Sequence, residues 1–257
     1  MNKRIKMIVI LLGAFFFLAN LSYAEIFNIK YISTKTDNLT TRDKAGGNHL
    51  WDAKVKVEKF THQGKPMLYI VETGSGIWGK DKKYKTWKSE SYYNVDGARI
   101  IPTQGKLIFK DQSGKVVGTF DKYFDAKEKK VICTLNGKNI RFNFADDLVD
   151  RDLLGTALAN YPFEEKRDFI FHLLTIEPTL YKITTKYRGQ ESVKIGDKTI
   201  DCYKIEIIPD LGALNIFGAF VPKTYFWYNV AKPHDFVKYE GLESGLGTPY
   251  VVMEAGY

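Results

Sequence analysis

A period of two runs through most of this sequence and restricts what the chain can fold into. Val55 and Val57 alternate with Lys54, Lys56 and Glu58. Much later, Tyr181, Ile183, Thr185 and Tyr187 alternate with Lys182, Thr184 and Lys186. Such alternation describes strands with one packed and one wet face. The pattern places strands over roughly 26–33, 50–61, 66–73, 84–95, 98–110 and 115–124. Further strands follow over 167–176, 179–194, 198–208, 220–229, 235–242 and 248–255. The stretch from Asp37 to Gly47 is polar and reads as a mobile loop.

Two hairpins can be set in register. Asn136-Gly137 suits a two-residue turn whose central residues both need positive φ. Pairing outward from it sets Leu135 against Lys138, Cys133 against Ile140 and Val131 against Phe142. Asp96-Gly97 likewise sets Tyr93 and Val95 against Ala98 and Ile100. One segment breaks the rhythm. Leu154, Ala157, Leu158 and Tyr161 fall at helical spacing, Asp146, Asp147, Asp150 and Asp152 crowd the start, and Pro162 closes it. Between Asp146 and Tyr161 this predicts one amphipathic helix with acids at its positive end. The expected fold is mainly β: a curved antiparallel sheet or half-barrel with one short amphipathic helix packed on it.

Residues 1–24 read as a signal peptide. Lys3, Arg4 and Lys6 precede an apolar run from Met7 to Leu21, and Ser22-Tyr23-Ala24 supplies small residues flanking a cut after Ala24. The run is short for a membrane span, and no cysteine near the cut offers a lipid anchor. Residues 25–257 are then expected to form one antiparallel β domain in the periplasm. The leader holds three of the 38 basic residues and none of the 30 acidic ones, which lowers the net charge from +8 to +5. That charge is too small and too evenly mixed for nucleic acid. In an oxidising compartment, Cys133 and Cys202 allow one disulfide, but a domain of this length needs none.

Four segments of the second half carry a resemblance: VICTLNGKNIRF, DDLVDRDLLGTALANYPF, VKIGDKTIDCYKIEI and KTYFWYNVAKPHDFVKYEG. From about Phe120 to Glu254 the chain resembles the exported bacterial DUF3108 family. The resemblance implies a curved antiparallel sheet similar to the LolA/LolB lipoprotein carriers. It implies a fold and a compartment, and no activity or site.

Motifs for chemistry are missing. His49, His62, His172 and His234 are scattered and do not converge as metal ligands do. The aspartates from Asp146 to Asp152 lack the glycine-centred loop of a calcium site. Gly74-Ser75-Gly76 lacks a nucleophile frame, and GKVVG at Gly114–Gly118 is not a phosphate loop. No catalytic residue, metal or cofactor is expected. What stands out is aromatic content, with 17 Phe and 16 Tyr. Tyr225, Phe226, Trp227 and Tyr228 share a strand, and Phe217, Phe220, Phe169, Phe171, Phe142 and Phe144 add rings. These fill a core, or line a concavity that one helix cannot cover. The sequence therefore points to a non-catalytic periplasmic binding or carrier protein for a hydrophobic, lipid-like ligand or a lipid-bearing partner. Phe142, Leu154, Leu158, Tyr161, Phe226 and Tyr228 are the expected cavity residues. The alternative is an envelope assembly factor with a filled core, which meets protein partners through strand edges and the segment Gly241–Gly247.

Overall fold

The computed structural model describes residues 29–144, 146–212, 222–245 and 247–256. The leader, Phe217 and Phe220 lie outside them, as do parts of the strands expected over 26–33 and 220–229. The strands of the first half are β1 Thr36–Asp43, β2 His49–His62, β3 Lys65–Trp78, β4 Lys83–Asp96, β5 Arg99–Lys110, β6 Val116–Asp125, β7 Lys130–Leu135 and β8 Lys138–Asn143. Then come β9 Leu148–Asp150 and helix α1 Leu154–Leu158. The second half holds β10 Phe169–Leu174, β11 Leu180–Ile195, β12 Lys198–Pro209, β13 Thr224–Asn229, β14 Phe236–Leu242 and β15 Tyr250–Ala255.

All of these strands join one 15-stranded sheet in the order β8-β7-β6-β5-β4-β3-β2-β1-β15-β14-β13-β12-β11-β10-β9. Only the short β9–β10 pair is parallel. The order follows from hairpins: β2 to β8 form one meander, and β10 to β15 form a second. β1 joins the two by pairing with β2 on one side and β15 on the other. The edge strands β8 and β9 are only a few residues apart in sequence. Tyr93 of β4, far from β9 in the strand order, hydrogen-bonds Asp150 of β9, so the sheet curls until this edge strand meets β4 across an interior.

The Asn136-Gly137 hairpin has the expected register, with Leu135 opposite Lys138, Cys133 opposite Ile140 and Val131 opposite Phe142. Four expectations are corrected. The Asp96-Gly97 turn slides by one residue. Asp96 pairs with Arg99 and Val95 with Ile100, leaving Gly97-Ala98 as the loop. Gly97, at φ 59°, alone supplies the left-handed conformation at the first loop position.

The polar stretch from Asp37 to Gly47 is largely strand β1, not a loop. Its inward residues Leu39 and Thr41 are buried, and strands on both sides supply backbone partners that side-chain polarity does not reveal. Residues 29–33, the described part of the strand expected over 26–33, run as irregular chain.

The helix is the fourth correction. Only Leu154–Leu158 is helical, with no acidic residue in its first turn, while Leu148–Asp150 forms β9. The expected stripe does pack inward, with Ala157, Leu158 and Tyr161 buried. Asp150 and Asp152, however, serve the buried cation Lys122. An acid at a helix start gains about 0.3–1 kcal/mol, whereas leaving a buried charge unpaired costs about 3–5 kcal/mol. Pairing the buried charges therefore decides the local structure.

The inner face of the sheet carries two apolar clusters. One gathers around α1, Phe171, Ile205 and Tyr228. The other gathers around Trp51, Trp78, Trp87, Phe120 and Val131. A smaller cluster of Val193, Cys202, Trp227 and Val237 lies on the outer face, where Lys204 and Lys238 cover the Trp227 ring, each 4.9 Å from its centroid. Cys133 and Cys202 are free and belong to different clusters. Burial pushes both thiols up to about 11, which suits inert core residues.

Candidate functional site

A polar belt crosses the inner face between the two apolar clusters. Strand register sets Glu72 opposite Ser89, Ser91 opposite Gly105, and Gly105 opposite Lys122. All of these occupy the inward phase of their strands, where apolar residues would be usual. Gly105 makes room for the lysine, since a Cβ there would lie 2.2 Å from Lys122 Cε and 2.6 Å from Ser91 Oγ.

The segment from β9 to α1 docks on this belt by charge. Lys122 Nζ lies 2.5 Å from Asp150 Oδ2 and 2.6 Å from Asp152 Oδ2, and the three side chains are only 5%, 1% and 6% exposed. Ser91 and Ser89 donate to Asp152 Oδ2 at 2.6 and 3.0 Å, and Tyr93 donates to Asp150 Oδ1 at 2.8 Å. Arg151 reaches Asp152 at 3.1 Å and Glu72 at 2.8 Å, where Trp87 Nε1 also donates. Burial alone would raise Asp152, but the charges of Lys122 and Arg151 and the hydrogen bonds from Lys122 and Ser91 hold it well below the usual carboxylate range. Burial would likewise lower Lys122, and its two aspartates more than reverse that. Every member of this network serves another, so it reads as a structural latch.

Beside the latch, the docked segment leaves space. A cavity of about 530 Å³ lies between it and the strands on either side of β1. That volume falls within the range of small-molecule sites, roughly 300–1,000 Å³. Leu39, Val55, Ile70, Phe226, Tyr239 and Met253 form much of its apolar wall. Glu72, Arg151 and Asp152 bring the edge of the polar belt to its surface, and Trp51, Trp78 and Glu243 border it as well.

Among the residues expected at a cavity, Leu154 and Phe226 line it. Leu158, Tyr161 and Tyr228 pack in the core around α1, and the Tyr228 hydroxyl donates to the Gly155 carbonyl at 3.2 Å. Phe142 lies against the other cluster, on the edge strand β8. The four-ring strand divides as alternation demands, with Phe226 and Tyr228 inward and Tyr225 and Trp227 with the outer cluster. The latch and the Trp51–Trp78–Glu243 corner were missed in sequence. Their signal was Lys122 between Phe120 and Phe124, and Ser89 and Ser91 between Trp87 and Tyr93, polar residues on the apolar phase.

The described residues hold no group of three or more His, Cys, Asp or Glu placed to bind a metal. His172 Nδ1 instead meets the buried Asp147 at 2.8 Å. No described helix is long and apolar enough to cross a membrane.

Likeness to known proteins lies in the fold. No protein-family profile matches the sequence, so the DUF3108 likeness gains no support there, and no curated protein matches either. A solved structure does: the β-barrel-like protein of domain of unknown function DUF1849 from Brucella abortus. It has a TM-score of 0.51 at 6% identity, over 86% of this chain and 94% of that one. The chain thus shares a β-barrel-like fold with that protein. Weaker overlaps are found with the hypothetical lipoprotein YmcC of Escherichia coli (TM-score 0.33, 11% identity, 95% and 96% covered). Another is a Bacteroides fragilis protein named for export and a YmcC-like fold (TM-score 0.34, 10% identity, 90% and 98% covered).

Proposed function

We propose that this chain is a non-catalytic periplasmic protein that binds or carries a hydrophobic, lipid-like ligand or the acyl part of a lipid-bearing partner. The cavity carries the reading. It is large enough for a ligand, apolar over most of its wall, and bounded by a segment clamped in place by buried ion pairs. A site held open by a rigid frame avoids the ordering cost that binding otherwise incurs. The leader sequence supports a place beyond the inner membrane.

Native mass spectrometry on protein released gently from the periplasm tests this. The expected result is a lipid-sized adduct that is lost on denaturation. A bare polypeptide mass, even after incubation with envelope lipids, would overturn the proposal. The assembly-factor alternative would then rest on the edge strand β8, where Ile140 is exposed.

A further inference from the structure

The charges around the cavity are unbalanced. Three cations line it among the described residues, and each is already paired. Lys35 meets Asp37 at 3.0 Å and Asp235 at 2.8 Å, Lys80 meets Glu177 at 3.0 Å, and Arg151 is shared between Glu72 and Asp152. Glu243 is the lining carboxylate that has no ion pair among the described residues. Lys85 acts on it only from beyond ion-pair distance, and burial raises its pKa.

The surroundings of Glu243 are specific. Trp51 Nε1 donates to Oε1 and the Gly79 N–H to Oε2, both at 2.7 Å, which fixes the carboxylate against the cavity wall. Each oxygen retains a lone pair for a further donor. Trp51 and Trp78 stack beside it with ring centroids 5.2 Å apart, and both border the cavity. A carboxylate next to indole rings attracts an organic cation twice over, by charge and by the ring quadrupole. An anionic head placed there would meet Glu243 with no unpaired lysine or arginine among the described lining residues to compensate.

We propose that the cavity takes an amphiphile with one apolar chain and an ammonium head, the head seated at Glu243 beside Trp51 and Trp78. This inference rests on the hydrophobic-ligand reading and narrows it to a class. It can be tested with three probes of one chain length, dodecylamine, dodecanol and dodecanoate, titrated calorimetrically below their micelle-forming concentrations. Dodecylamine should bind at least about tenfold more tightly than dodecanoate, with dodecanol between them. Glu243→Gln, its fold checked by circular dichroism, should shrink that preference to within about threefold. Val57→Trp, which fills the apolar part of the cavity, should weaken amine binding at least about tenfold and so exclude attachment to surface carboxylates.

Equal or tighter binding of dodecanoate would overturn the head-group inference and leave the hydrophobic site standing. An unchanged preference in folded Glu243→Gln would do the same. Failure of all three probes to bind would remove the hydrophobic site as well. Should Glu243→Gln not fold, the comparison of probes on the unaltered protein still decides the matter.

Discussion

The same sheet encloses two different interiors. Over β4 to β8 the inner face is filled, because Lys122 draws in Asp150 and Asp152 and the segment that carries them lies down on the strands. From β10 through β15 to β1–β3 the alternation is similar, yet a cavity remains. The difference lies in how the inner segment is held. Apolar contact is roughly proportional to area and has no direction, whereas an ion pair fixes position. The charged latch settles where the segment sits, and the space beside it follows from that placement.

This contrast can be broken or sharpened by substitution. Lys122→Met leaves two buried carboxylates without their cation and should cost about 3–5 kcal/mol in urea unfolding. A loss below about 1 kcal/mol would mean the latch is not what holds the segment. Leu158→Ala, on the packed face of the segment itself in the core around α1, should cost about 2–5 kcal/mol. Val55→Ala, on the cavity wall, should cost about 1 kcal/mol or less, since one side of that side chain has few packing partners to lose. Equal losses at the two positions would argue against the cavity.

The latch should also show in the pH dependence of stability. The Asp152 carboxyl is held below its unfolded value, so its contribution is complete above about pH 5 and is lost as pH falls through the folded value. Unfolding free energy should therefore decline below about pH 5, and more steeply in the unaltered protein than in Lys122→Met. Parallel curves would show that Lys122 does not set the Asp152 titration. Val57→Trp should weaken binding of a dodecyl probe at least about tenfold, or 1.4 kcal/mol, while the protein stays folded. The smallest effect belongs to the outer surface. Lys56→Ala breaks an ion pair with Glu58 whose side chains are 48% and 44% exposed, and stability should shift by less than about 0.5 kcal/mol.

Much of the architecture was legible because alternation and turn chemistry are local. Asn136-Gly137 fixes its own register, and the long strands carry their two faces in consecutive residues. The candidate site was much less legible. Lys122, Ser89 and Ser91 read as ordinary polar strand residues unless their phase is tracked against Phe120, Phe124, Trp87 and Tyr93. Their partners lie far off in sequence, and Asp150 and Asp152 look like helix-start acids when seen alone. Strand β1 was hidden for a related reason, since its strand character comes from the neighbours on either side. Leu154 and Phe226 were legible as cavity residues because face and spacing suffice there. Glu243 was not, because only the folded chain brings it to Trp51.

The most direct test is a crystal structure with dodecylamine brominated at the end of its chain, located by the anomalous signal of bromine. A ligand-binding cavity predicts a bromine peak inside it, among Val55, Phe226 and Met253, with density for the head leading to Glu243. Peaks confined to the outer surface, with the cavity free of the probe, would contradict it.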